Sequence, residues 1–203
     1  MKKTIMIVLV VLLVAPMGLF AGIFDFSIGA TAQYTEAFNA TEDIEPSEGM
    51  ANIENYVFGA DIRTRLLFAE IGLMGLYQEL ETDGFMLDGV LTGGLSLDLL
   101  GLVRVGLGMG PRLSAHFKED GSVVVYDTAG DPLGEDTDFE AAFMNAPMTY
   151  RATVDLKLGK ILLGLNYTVD SNGFTFSNPE AVDKLNPNWE QGRIGASVLL
   201  TLF

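Results

Sequence analysis

The chain has 203 residues, 49% of them hydrophobic and 19% charged, with 23 glycines, no cysteine and a formal net charge of −15. That length suits one domain, and the missing cysteines exclude disulfides, cysteine-ligated zinc and a cysteine-linked lipid anchor. The acidity argues against a nucleic-acid partner, because nucleic-acid phosphates repel a negative surface.

The first residues carry the three parts of an export signal in the required order. Lys2 and Lys3 supply positive charge, residues 5–15 are uninterruptedly apolar, Pro16 and Gly18 break the helix, and Ala21 suits a cleavage site. A helix over that run would cross only about half of a ~30 Å hydrocarbon core. The reading is a helical signal peptide over 1–21, followed by one domain over 22–203. Loss of Lys2 and Lys3 would leave the mature chain at −17, two below the −15 of the whole.

No later run reaches the ~18 apolar residues of a helical membrane span. The rest of the chain instead alternates, the mark of strands with one apolar and one polar face. Phe24, Phe26, Ile28, Ala30, Ala32 and Tyr34 oppose Asp25, Ser27, Gly29, Thr31 and Gln33. Tyr56, Phe58, Ala60, Ile62 and Leu66 oppose Asp61, Arg63 and Arg65. Ile71, Leu73 and Tyr77 oppose Glu70, Gly72 and Gln78, and Leu91, Leu95, Leu97 and Leu99 oppose Thr92, Ser96 and Asp98. Val103, Val105, Leu107 and Met109 oppose Arg104 and Arg112, with glycines between. Met148, Tyr150, Val154, Leu156 and Leu158 oppose Arg151, Thr153, Asp155 and Lys157. Ile161, Leu163, Leu165, Tyr167 and Val169 oppose Gly164, Asn166 and Thr168. Ile194, Ala196, Val198, Leu200 and Leu202 oppose Arg193, Gly195, Ser197 and Thr201.

These are eight strands. Short connections near 67–68, 100–101 and 159–160 alternate with long ones over 36–54, 79–88, 117–146 and 170–189. Short turns at one end and long loops at the other are the rhythm of a transmembrane barrel. The run 122–126 in the longest loop is placed to extend a hairpin above the barrel. The expected fold is all-β: an eight-stranded antiparallel up-and-down transmembrane barrel.

A soluble lipocalin-like barrel has the same period with its apolar face inside. Three features favour lipid. The apolar faces carry no charge. The polar faces hold Arg63, Arg65, Arg104, Arg112, Arg151 and Lys157, and each would cost about 2–4 kcal/mol facing mid-bilayer lipid. Tyr34, Tyr56, Tyr77, Tyr150, Tyr167 and Trp189 all fall at the loop end, where an interfacial aromatic girdle is expected.

On these features the chain resembles the small eight-stranded outer-membrane barrels of the OmpA, OmpX and OmpW type, in architecture rather than by motif. The resemblance covers residues 22–203. It implies export to the bacterial outer membrane, surrounding membrane lipid, and a barrel-assembly machinery that reads a C-terminal aromatic such as Phe203. Phe203 departs from the usual pattern, sharing parity with Thr201 and Ser197 rather than Leu202 and Leu200. A bulge near 199–200 or an early end to the last strand would reconcile this.

Inside the barrel the six cations face Asp25, Asp61, Glu70, Asp98 and Asp155. The expectation is a plugging polar network rather than a conducting path, since buried charges must be paired. Glycines 29, 59, 106, 108 and 110 are expected to make room for the arginines. The loops are acidic: Glu36, Glu42, Asp43, Glu45, Glu48 and Glu54 in the first, and Glu119, Asp120, Asp127, Asp131, Glu135, Asp136, Asp138 and Glu140 in the third. They form either a solvated repulsive surface or a site for a divalent cation or extracellular ligand. Ser114 and His116 share a face with Arg112 at the rim, the residue types of a lipid-modifying hydrolase.

These features leave three functions open. The first is a non-enzymatic, cofactor-free barrel interacting through its loops. The second is a narrow channel for small or hydrophobic solutes, as an OmpW-like barrel would allow. The third is a rim enzyme using Ser114 and His116.

Overall fold

The computed structural model describes residues 24–35, 46–80, 84–126, 132 and 139–203. The signal-peptide segment and most of the acidic residues of the first and third loops lie outside these. Nine strands form among the described residues: β1 (Phe24–Tyr34), β2 (Tyr56–Leu66), β3 (Ala69–Glu79), β4 (Phe85–Leu99), β5 (Val103–Phe117), β6 (Val123–Tyr126), β7 (Met148–Leu158), β8 (Ile161–Asp170) and β9 (Arg193–Thr201). Two short helices join them, α1 (Pro46–Ala51) and α2 (Phe139–Asn145).

Eight strands make the wall. Each pairs antiparallel with its chain neighbours, and β1 pairs with β9 to close the barrel. β6 is the exception. It pairs with residues 114–117 of β5 above the point where β7 leaves that strand at the Pro111–Met148 pair. The run 122–126 therefore does extend a hairpin beyond the barrel wall. Closure matters physically because it leaves no open sheet edge around the wall, the condition for a sheet to sit in lipid.

The wall strands are 9 to 15 residues long, against the ~9–11 that a tilted strand needs to cross a bilayer. The 15-residue β5 runs past β7 at the loop end, where its residues 114–117 pair with β6 instead. At the other end the turns are tight, and each uses a left-handed residue: Leu67 (φ 58°), Leu100 and Gly101 (φ 52° and 70°), and Gly159 (φ 66°). Both described termini of the barrel, Phe24 and Thr201, lie at this turn end.

Period two sorts the side chains as the charge argument requires. Leu73, Leu91, Leu95, Leu97, Leu107, Val154, Leu165 and Val198 are exposed on the outside, while Asp61, Arg63, Arg104, Arg151 and Asp155 are buried within. A soluble barrel would reverse this. The pairing of β9 with both neighbours runs without interruption, so no bulge occurs at 199–200. The last strand ends at Thr201, the Leu202 amide still bonds Phe26 O, and Phe203 lies past the ladder.

The interior is not uniformly polar. Met74, Leu76 and Val90 form an inward apolar cluster with Val57 beside it. Leu162 and Leu199, paired across β8 and β9, are also buried inside.

Candidate functional site: the charged barrel interior

The lumen side chains form three ionic layers. The central layer joins β2 and β7. Arg63 donates from Nε and Nη2 to Asp61 Oδ2 (3.1 and 2.8 Å) and from Nη1 to both oxygens of Asp155 (2.9 and 2.7 Å). Arg151 donates from both Nη atoms to Asp61 (3.0 and 2.6 Å). Ser197 Oγ lies 3.1 Å from Asp61 and 3.0 Å from Thr31 Oγ1. All four charged residues are 0–3% exposed. Two guanidiniums and two carboxylates cancel, and the planar forks of arginine satisfy the carboxylates bidentately, which compensates for desolvation.

The turn-end layer is wetter. Arg65 reaches Asp25 (3.3 Å) and Asp98 (3.1 Å), and Arg104 reaches Asp98 (2.9 Å) and Asp25 (2.5 Å). Lys157 Nζ lies 2.6 Å from Asp98. Arg104 is buried, while Asp25, Arg65, Asp98 and Lys157 remain partly open to solvent. Glu70 lies on the same half of the barrel, paired in register with Arg65.

The loop-end layer contains residues that the alternation assigned to loop boundaries. Arg112 Nη2 donates to Asp88 (2.7 Å) and its Nη1 to Asp170 (3.3 Å). Ser114 donates to Asp88, and Thr149 donates to Asp170. Arg193 faces this layer within electrostatic reach of Arg112, Asp88 and Asp170, but makes no ion pair among the described residues. Parity was the signal that could have found them: Asp88 shares it with Val90 and Thr92, and Asp170 with Thr168 and Asn166.

The eleven charged residues expected in the lumen are Asp25, Asp61, Arg63, Arg65, Glu70, Asp98, Arg104, Arg112, Arg151, Asp155 and Lys157. Ten of them join ion pairs with one another or with Asp88 and Asp170. Glu70 makes no ion pair among the described residues.

The glycines act differently from expectation. At Gly29, Gly59 and Gly110 a side chain would strike the backbone of the adjacent strand, so these allow close strand approach. The guanidinium space is at Gly72, whose missing Cβ would lie 3.4 Å from Arg151 Nη1, and at Gly164, 3.6 Å from Arg63 Nη2.

The loop-end aromatics divide into two groups. Tyr77 and Trp189 are exposed, stacked or tilted against Phe85 and Tyr167 at 5.4 and 6.4 Å. The other group is tied to the loops. Tyr34 is only 6% exposed, packed 5.5 Å from Tyr56, and its hydroxyl occupies the space where Gly49 of α1 would carry a side chain. Tyr56 Oη donates to Met50 O (2.9 Å) and Tyr150 Oη to Leu185 O (2.6 Å). The rim thus clamps loops onto the barrel as well as presenting rings outward.

Ser114 and His116 lie on the part of β5 that pairs with β6, opposite Tyr126 and Val124. The Ser114 hydroxyl proton goes to Asp88, and Tyr126 Oη lies 3.5 Å from His116 Nδ1. A nucleophilic serine needs its proton held by the base, and here a carboxylate holds it. Among the described residues no group of three or more His, Cys, Asp or Glu is arranged to hold a metal ion. Of Glu135, Asp136, Asp138 and Glu140 in the third loop, only Glu140 is among the described residues, at the start of α2.

Wall and interior together define a closed eight-stranded antiparallel barrel, apolar outside and ionic inside. In structure the chain is similar to Neisserial surface protein A, known from a crystal structure: the two are 14% identical with a TM-score of 0.37, over 88% of this chain and 94% of that one. No family model matches the chain, and no curated protein matches it in sequence.

Proposed function

We propose that this protein is an integral barrel of the bacterial outer membrane whose lumen is closed and whose interactions run through its loop end. The observation that carries the reading is the central layer of Asp61, Arg63, Arg151 and Asp155, buried to 0–3% exposure inside a wall whose outward face is apolar. An eight-stranded barrel is just wide enough for side chains to fill it, and the central side chains here meet as paired charges, which supports a closed lumen. The apolar wall supports membrane lipid as the surroundings, reached by signal-dependent export and the barrel-assembly machinery.

Chemistry is then left to the loop end. The acidic loops would serve for contact with extracellular molecules or divalent cations. Asp88 holding the Ser114 proton weighs against the rim-hydrolase reading, and the closed central layer weighs against the channel.

The cysteine-free chain makes a direct test possible. In intact cells, an impermeant maleimide is expected to label Val182→Cys in the last loop but not Leu100→Cys at a turn, with both labelled after lysis. Equal labelling of the two in intact cells, or recovery of the protein in the soluble fraction, would refute the proposal.

A further inference from the structure

Four buried polar atoms near one place in the barrel lack a protein partner: Glu70 Oε2, Arg151 Nε, Thr153 Oγ1 and Ser96 Oγ. Glu70, Arg151 and Thr153 line a common cavity of about 10 Å³, together with Gly94, Gly106 and Gly108. Ser96 stands beside it, since a Cβ on Gly106 would lie 3.6 Å from Ser96 Cβ, 3.5 Å from Glu70 Oε1 and 2.6 Å from Thr153 Oγ1. Glycine inside a strand weakens it and commonly marks a place where something else must fit. Of Gly94, Gly106 and Gly108, Gly106 is the one whose missing side chain would enter the space between Glu70, Thr153 and Ser96.

The donor and acceptor types decide what fits. Arg151 Nε–H only donates, and both Nη atoms of that guanidinium are already engaged with Asp61. An ionised Glu70 oxygen only accepts, and the two hydroxyls can do either. A cation could satisfy Glu70 but would face the Nε–H with nothing to offer it. An anion could accept from Nε–H but would be repelled by Glu70. A group that both accepts and donates satisfies every atom. The cavity has about the volume of a single water, and buried waters typically make about three hydrogen bonds to such groups.

We infer that the barrel holds one structural water here, accepting from Arg151 Nε and donating to Glu70 Oε2, with Thr153 Oγ1 as third partner. The water assigns Glu70 its role. Through it Glu70, which makes no ion pair among the described residues, joins the Arg151–Asp61 pair of the central layer. Glu70 is partly exposed and Asp61 is sealed, so the water stands where hydration from the turn end stops. The assignment rests on interior geometry alone and holds whatever the barrel is embedded in.

Water–amide NOE and ROE spectroscopy of the ¹⁵N-labelled protein folded in detergent micelles tests it. Cross-peaks from water to the amides of Gly106, Gly108 or Thr153, with the sign of a long-lived water, are expected in the parent chain. They are expected to persist in Ser96→Ala, which removes a nearby hydroxyl that is not one of the three partners. They are expected to vanish in Gly106→Ala, whose methyl takes the space. Glu70→Leu, which removes the acceptor and leaves Gly106 unfilled, should give the same loss if Gly106→Ala does not fold. Absence of the cross-peaks in the parent, their loss in Ser96→Ala, or their survival in Glu70→Leu would overturn the inference.

Discussion

The central and loop-end layers of this barrel contain the same charges, two arginines and two aspartates, yet are wired differently. In the centre both guanidiniums converge on Asp61, and Arg63 also spans to Asp155, with every charged group sealed from water. At the loop end Arg112 alone serves Asp88 and Asp170, hydroxyls supply the rest, and Arg193 stands by without an ion pair among the described residues. Equal charge therefore does not mean equal coupling. A desolvated ion must be satisfied at once by partners, whereas a half-solvated one can share with water.

Variants should separate the two layers. The largest effect is expected from Asp61→Ala, which leaves Arg63 and Arg151 facing each other without their shared carboxylate. A loss of about 3–5 kcal/mol is expected, because an unpaired charge stays buried, measured by denaturant unfolding from lipid vesicles. Arg112→Ala should cost less, about 1–3 kcal/mol, since Asp88 and Asp170 each keep a hydroxyl donor and some water. Arg193→Ala should have the smallest effect of the three, since it breaks no ion pair among the described residues. An Arg112→Ala loss equal to that of Asp61→Ala would abolish the distinction between the layers.

Much of this architecture is legible in the sequence, and the reason is geometric. A side-chain period of two and an uncharged face reveal a wall, its two sides and its turns. Leu67, Leu100 and Gly159 fall in the turns where the alternation breaks. What alternation does not carry is how far a strand continues past its apolar stretch. It leaves Asp88 and Asp170 at loop boundaries, although their parity places them in the lumen. The inward Met74, Leu76, Leu162 and Leu199 are hidden for the opposite reason, because an apolar residue on a polar face looks like noise in the pattern. Pairings such as Arg63 with Asp155, 92 positions apart, depend on closure and register between β1 and β9, which no local pattern contains. Tyr34 has the position of a girdle residue but is covered by α1, and only the path of the first loop determines that.

Closure of the lumen by the central layer is tested most directly by single-channel recording in planar lipid bilayers. The folded parent protein is expected to insert without producing stepwise conductance. Stable ohmic steps from the parent chain, reproducible from one insertion to the next, would contradict it.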